Sequence, residues 1–266
     1  MKYRKINMKK VLIIGYGDLG NRIANMLPER DFIGVSRSFT NHLSNVQSIQ
    51  LDWNNEPFSE LPSQDISSIV LILKPASSDI KGYKIGFLDA AHKIFNFLNN
   101  NFSYQQIIAV SSTRVYGLDN GRDITELTVP IPDDEQGRII KEYEDFVTHS
   151  SKVDPLILRP SGLYDDKDHW MKKHVNSFNG KKYSLQFIEA NTFNRNDLSL
   201  IISNYINDRQ FANISGPLIC SNIATTYKEI FSNLYPDLIF KDFFSIPDAL
   251  GKTFNPQKLI DSGLMG

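Results

Sequence analysis

Residues Val11-Leu12-Ile13-Ile14-Gly15-Tyr16-Gly17-Asp18-Leu19-Gly20 constrain the fold of this chain more than any other stretch. Four aliphatic residues in a row make a strand buried on both faces, as strands of parallel sheets are. It runs straight into a G-x-G-x-x-G loop, after which Leu19, Ile23, Met26 and Leu27 recur at helical spacing. In such a strand–turn–helix unit Gly15 makes the tight turn, Gly17 lets the backbone approach a pyrophosphate, and Gly20 lets helix and strand pack closely. The first helical turn offers free N–H groups and a partial positive charge to the phosphates. Gly15, Tyr16, Gly17, Asp18, Leu19 and Gly20 are therefore expected to wall a dinucleotide site; outside such a unit the same pattern is only a glycine-rich turn.

The rest of the first half extends that reading. Short β-branched runs at 10–14, 32–35, 48–51, 68–73, 106–110 and 156–158 alternate with helical patterns such as Ile85, Leu88, Ile94, Phe95 and Leu98, which predicts βαβ units and a parallel sheet. The expected class is α/β: a Rossmann-like doubly wound parallel sheet over residues 1–162, with residues 197–218 returning to it. After Arg159 the pattern breaks into loop and turn signals at Gly162, Asp165-Asp166-Lys167-Asp168 and Asn179-Gly180, followed by a predicted strand at 184–189. A helix over 197–206 then leads back to the main sheet through a predicted strand at 211–215. Residues 163–196 and 219–266 are expected to form a small C-terminal substrate lobe.

Composition narrows the partners. With 22% charged residues and a formal net charge of -1 in 266 residues, nothing general points to nucleic acid or an anionic membrane. No stretch approaches the ~20 apolar residues of a membrane span. Cys220 is the single cysteine, which excludes an intramolecular disulfide and a cysteine metal cage and suits a reducing cytoplasm. Residues 1–7 read as a ragged tail, with Met8 as an alternative start. About 20 residues past the glycines an NAD site places an acid on the ribose 2′-OH. Here the second strand ends Gly34-Val35-Ser36-Arg37-Ser38, with no carboxylate. Ser36, Arg37 and Ser38 suit a 2′-phosphate, because a guanidinium fork matches phosphate geometry. NADP is thus the preferred cofactor and NAD the second; in the alternative reading Arg37 is a solvated loop residue.

The segment Ser111-Ser112-Thr113-Arg114-Val115-Tyr116-Gly117 resembles the SSxxVYG motif of the extended short-chain dehydrogenase/reductases, the nucleoside-diphosphate-sugar epimerases and dehydratases. Further marks follow in order: Asp52 after the third strand, Thr125-Glu126 before a Pro-rich loop, Gly137-Arg138 heading a helix, and Leu158-Arg159-Pro160-Ser161-Gly162-Leu163-Tyr164, with weaker echoes at Asn191 and Asp197-Leu198. The glycine pattern, one residue shorter than GxxGxxG, is similar to that of the family's atypical branch. The resemblance implies a cofactor wall completed by Asp52, Trp53, Lys74, Pro75, Ser111 and Pro160, and a reacting oxygen bound by Ser112. It also implies a small-molecule substrate, a nucleotide-linked sugar being the family's type, and a homodimer through helices at 84–98 and 138–148.

The family's catalysis rests on a Tyr-xxx-Lys pair, in which the lysine lowers the tyrosine pKa. In this chain those positions hold Gln136 and Ile140, and none of the eleven tyrosines is followed four residues later by lysine. Glutamine cannot ionise and isoleucine carries no charge, so a proton must come from elsewhere. Tyr116, Tyr164 and Lys141 are the candidates, each with a bland alternative as packing or a solvated face. His42, His92, His149, His169 and His174 show no metal-ligand spacing, and no metal is expected. Lys172, Lys173, Lys181 and Lys182 make a basic cluster in the lobe where the resemblance puts a substrate diphosphate; a solvated face is the alternative. The expected function is NADP-dependent oxidoreduction or epimerisation of a polar substrate with non-standard acid/base residues. The alternative is a non-catalytic NADP-binding sensor or scaffold.

Overall fold

A computed structural model describes residues 9–38, 43–58, 61, 65–117, 121–165, 167–245 and 249–266. The tail at 1–7, Met8, His42 and Asp166 lie outside the described residues. The first half runs β1 Lys10–Ile14, α1 Asp18–Met26, β2 Phe32–Ser36, β3 Val46–Gln50, β4 Ile66–Leu71, α2 Ile80–Tyr83, α3 Ala90–Asn101, β5 Gln106–Val110, α4 Glu135–Ser150 and β6 Leu156–Pro160. A wider turn of helix, Lys84–Asp89, joins α2 to α3 without a break, and a short 3₁₀ turn, Thr113–Tyr116, follows β5. The second half runs β7 Gly162–Tyr164, α5 Trp170–Asn176, β8 Tyr183–Ser184, β9 Glu189–Ala190, β10 Thr192–Asn194, α6 Arg195–Asn207, β11 Gly216–Cys220, β12 Thr225–Thr226, α7 Tyr227–Leu234, α8 Phe240–Phe243, β13 Phe244–Ser245 and α9 Gln257–Ser262.

Seven parallel strands form one sheet in the order β11-β6-β5-β4-β1-β2-β3. β1 and β4 are almost wholly buried, the consequence of helices covering both faces. On one face Phe87, Ile94, Phe95, Leu98, Ile140, Tyr143 and Val147 of the α2–α3 helix and α4 pack on the sheet. On the other, Ile23, Ala24, Leu198, Ile201, Ile202 and Tyr205 of α1 and α6 pack with Leu259 and Leu264 from the chain's last helix and terminus. The fold is a doubly wound, Rossmann-like α/β sheet. A separate, mostly aromatic cluster of Met171, Leu185, Phe231, Phe240 and Phe244 makes the core of a small lobe.

Several element bounds differ from the sequence reading, each for a local reason. The third and fourth strands begin two residues earlier than predicted, because Val46 pairs with Phe32 and Ile66 with Lys10 across the sheet. The predicted strand at 184–189 pairs only at its ends, Tyr183–Ser184 on β13 and Glu189–Ala190 on β12. The returning strand lies at Gly216–Cys220 instead of 211–215. Residues Arg209–Phe211 form a 3₁₀ turn capped by the Asp208 carboxylate, whose Oδ1 accepts from the Gln210 N–H at 2.9 Å. Gly216-Pro217 reads as a turn, but β11 is an edge strand, where a proline without N–H is tolerated.

Candidate functional site

The strands of a parallel sheet all end on one side, and here their carboxyl ends frame a cleft of about 670 Å³. At its centre the chain leaves β1 through Gly15 at φ +91°, where an added Cβ would sit 2.1 Å from the Ile72 carbonyl oxygen. Only glycine tolerates both the left-handed backbone and that approach. The Gly15 and Tyr16 N–H groups donate to the Val35 carbonyl at 3.0 and 2.8 Å, fixing the turn against β2. Gly17 is the N-cap of α1 and carries no side-chain cap, so the first N–H groups of the helix stay available to a ligand. An added Cβ at Gly17 meets nothing nearer than the Gly15 carbonyl oxygen at 3.9 Å.

Gly20 has a different task from the one expected. The Tyr16 ring is fully buried between α1 and β2, and a Cβ on Gly20 or on Gly34 would come within 2.8 or 2.6 Å of it. The two glycines make room for a wedged tyrosine ring, and helix and strand meet through that ring. The cleft is lined by Gly15, Tyr16, Gly17, Asp18, Leu19, Ser36, Arg37, Ser38, Trp53, Lys74, Ser111 and Pro160, as the sequence suggests for them all. Gly20, Asp52 and Pro75 are not among its lining residues. The Asp52 carboxylate caps the turn after β3, accepting from the Asn54 N–H at 3.2 Å and Asn55 Nδ2 at 2.8 Å. Pro75 backs onto Gly86 of the α2–α3 helix, whose added Cβ would lie 2.7 Å from the proline Cα. Ser36 donates its hydroxyl to the Ser38 carbonyl at 2.7 Å, which removes it as a donor to a ligand.

Arg195, Asn54, Ile72, Leu73, Ala76, Val110 and Leu163 also line the cleft, and sequence reasoning missed them. Ile72, Leu73 and Val110 end or continue β4 and β5 and need only the sheet order to be found. Arg195 gives a fainter signal: it follows Asn194, the N-cap of α6, whose side chain accepts from the Asn196 N–H at 2.8 Å. A ring of charges surrounds it. Arg22 donates to Asp18 at 3.0 Å, to Asp165 at 2.6 Å and to Asn196, tying α1 to the loop after β7 and to the start of α6.

Behind Ser111 lies a buried ion pair. Ser111 donates to Glu144 Oε1 at 2.5 Å, and Arg159 grips the same carboxylate at 2.9 and 2.6 Å. Arg159 also donates to the Tyr116 hydroxyl at 2.7 Å, and that hydroxyl donates to the Thr125 carbonyl at 3.2 Å. Burial raises the Tyr116 pKa, and the phenol is a packed structural group. Lys141, the second candidate acid/base, pairs with Asp145 at 2.6 Å and does not line the cleft. Tyr164 is half-buried with its ring against His169 and does not line the cleft.

Gln136 and Ile140, at the positions where the resemblance puts a tyrosine and a lysine, make structural contacts. Gln136 accepts from Arg114 and donates Nε2 to the Ser78 carbonyl at 2.7 Å, while Arg114 chelates Asp134 at 2.8 to 3.1 Å. Burial pushes the Asp134 carboxyl up, but Arg114 and the Gly137 N–H outweigh it and hold the pKa below the ordinary value. Ile140 is 2% exposed in the core between α4 and the sheet. Ser112 caps the 3₁₀ turn, its Oγ accepting from the Arg114 N–H at 3.1 Å. Lys252 crosses from the C-terminal segment and donates to the carbonyls of Thr113, at 3.3 Å, and Gly117. Burial lowers its pKa. Gln136 and Ile140 do not line the cleft, and neither does Ser112, although it directly follows Ser111, which does.

In the lobe, His169 Nδ1 caps α5 by accepting from the Met171 N–H at 3.2 Å, and His174 Nε2 meets the Phe243 carbonyl at 3.2 Å. Lys173, Lys181 and Lys182 are exposed, Lys173 beside Asp168 at 3.0 Å.

With this geometry in hand, solved structures give a consistent comparison. A provisionally assigned NAD-dependent epimerase/dehydratase of Methylobacillus flagellatus superposes with a TM-score of 0.75 at 22% identity, covering 96% of this chain and 92% of that one. The UDP-glucuronic acid 4-epimerase of Bacillus cereus, bound to UDP-glucuronic acid and NAD, gives 0.76 at 15% identity, with 97% and 93% covered. This chain has their fold. The UDP-N-acetylglucosamine 4-epimerase of Methanobrevibacter ruminantium, bound to UDP-N-acetylmuramic acid, gives 0.72 at 15%, with 96% and 92% covered. No protein-family model and no curated protein matches the chain. Among the described residues no helix is long and apolar enough to cross a membrane.

Proposed function

We propose that this chain is an NAD(P)-binding, epimerase/dehydratase-like oxidoreductase acting on a polar, nucleotide-linked sugar. The observation that carries the reading is the cleft: an uncapped helix N-terminus, a glycine whose side-chain direction is open, and a strand end carrying Arg37 all face one cavity at the carboxyl edge of the sheet. The Trp53 indole N–H, buried at the cleft wall with no partner among the described residues, also fits a bound group. Gly15, Gly17, Asp18 and Leu19 would hold the pyrophosphate, Arg37 and Ser38 a 2′-phosphate, and Trp53, Lys74, Ser111 and Pro160 the remainder. When bound, the nicotinamide supplies a hydride acceptor or donor. Ser112, next to the cleft-lining Ser111, would meet the reacting oxygen, and the small lobe built on Met171, Phe231 and Phe244 would cover the substrate.

Support for nucleotide-linked sugars comes from the two epimerase structures, whose bound molecules are UDP-sugars. NADP is preferred over NAD because β2 ends in Ser36-Arg37-Ser38 without a carboxylate. A homodimer through the α2–α3 and α4 helices, where Leu88 and Phe146 are half-buried, completes the proposal, as does a reducing cytoplasmic setting for the lone buried thiol of Cys220.

Calorimetry with NADPH and NADH, then turnover against keto-sugar nucleotides with Ser112→Ala as control, tests the reading. Tighter NADPH binding and Ser112-dependent turnover are the expected outcome. Cofactor binding with no turnover on any substrate would favour a sensor or scaffold, and no cofactor binding would overturn the proposal.

A further inference from the structure

Arg195 stands out among the cleft-lining side chains because no part of the glycine-loop unit supplies it. It is the first residue of α6, and α6 packs along α1, so Arg195 and the free N–H groups at the start of α1 border the same cavity. Its charge is only loosely met within the chain: the nearest carboxylate oxygen, Asp18 Oδ2, is 4.0 Å away, and Asp18 is already gripped by Arg22 at 3.0 Å. Its side chain stays 36% exposed. Arg22, by contrast, is fully engaged by Asp18, Asp165 and Asn196 and serves to hold the two helices in register. Trp53 also lines the cleft, and its buried indole N–H has no partner among the described residues.

We infer that Arg195 is a clamp for the pyrophosphate of the bound dinucleotide, gripping it from the α6 side while the glycine loop and α1 hold the other. The inference rests on the dinucleotide reading of the cleft and adds to it a residue from the second half of the chain. A guanidinium fork gives charge-assisted bonds to phosphate oxygens that an amide or a distant lysine does not reproduce. The division of labour is then clear: Arg37, at the end of β2, answers the 2′-phosphate, and Arg195, at the start of α6, answers the pyrophosphate.

Two small probes separate these roles. Adenosine 5′-diphosphate carries the pyrophosphate without the 2′-phosphate, and adenosine 2′-monophosphate carries the reverse. Calorimetry on the full chain should show Arg195→Gln weakening adenosine 5′-diphosphate and NADPH roughly tenfold while adenosine 2′-monophosphate is unchanged. Arg37→Gln should show the opposite pattern with the two fragments. Arg195→Lys should recover part of the loss, and the melting temperature should hold in all three variants. Unchanged adenosine 5′-diphosphate binding in a folded Arg195→Gln protein would overturn the clamp, and so would equal losses for both fragments, which would mean the cleft itself had collapsed. If the parent protein binds neither NADPH nor adenosine 5′-diphosphate, the dinucleotide reading fails, an outcome distinct from failure of the clamp.

Discussion

Gly15 and Gly17 are two residues apart, yet they serve different ends. At Gly15 the constraint is internal: the φ of +91° and the Ile72 carbonyl 2.1 Å from a virtual Cβ forbid any side chain. At Gly17 the constraint comes from the ligand, because within the chain a Cβ meets only the Gly15 carbonyl oxygen at 3.9 Å. Gly15→Ala is therefore expected to lower stability by several kcal/mol, visible in urea denaturation, with the strained backbone alone worth about 1–2 kcal/mol. Gly17→Val is expected to leave the circular dichroism spectrum and melting temperature nearly unchanged while weakening NADPH by more than about tenfold. Undiminished NADPH binding in Gly17→Val would mean that the loop does not face the pyrophosphate. The motif's spacing reveals the glycines; the opposite reasons for them appear only when neighbours from β2 and the end of β4 are in place.

Helix α4 carries structural contacts at the positions where the resembled family has its Tyr-xxx-Lys pair. Asp134 caps it, accepting from the Gly137 N–H at 2.6 Å, and Arg114 joins that cap to Gln136 and so to the loop at Ser78. The next turn carries Ile140 into the apolar core, and the one after carries Glu144 to the buried Arg159 and Ser111. That carboxylate ties β5, α4 and β6 together directly behind the cleft. Restoring a lysine at 140 would put a charge among Phe87, Tyr143 and Val147, with Glu144 already committed to Arg159. Ile140→Lys is expected to destabilise the protein by roughly 3–5 kcal/mol, the range for an uncompensated buried charge. A urea midpoint unchanged from the parent would show that the lysine finds a partner or water that the present packing does not offer.

At the scale of the molecule, three apolar clusters divide the work. Two lie on opposite faces of the sheet, and the third, built on Met171, Phe231, Phe240 and Phe244, belongs to the lobe alone. Stability is not uniform in such a molecule, since a small cluster opens at lower free energy than a central sheet. Phe231→Ala, which removes a fully buried ring, is expected to cost roughly 3–5 kcal/mol within the lobe. Hydrogen exchange should then quicken in α5, α7 and α8 while β1, β4 and β5 remain protected, and NADPH affinity should stay within about twofold of the parent. Equal loss of protection in the sheet would show that lobe and sheet unfold as one unit.

The sequence by itself determined the fold class, the glycine turn and most of the residues that line the cleft. Those are encoded locally: an apolar strand, glycines at fixed offsets and an amphipathic helix each follow from a few adjacent residues. It also shows that no tyrosine is followed four residues later by lysine, because an absent side chain is legible without coordinates. Only the tertiary structure decided that Gly20 makes room for Tyr16, that Asp52 caps a turn, and that Gln136 and Ile140 are held by Arg114 and by the core. It alone brought Arg195 to the glycine loop from 180 positions away in the chain, counted from Gly15. The physical reason is common to all of these: what a side chain does at a cleft depends on which partner reaches it first, and those partners come from strands and helices that only the assembled sheet brings together.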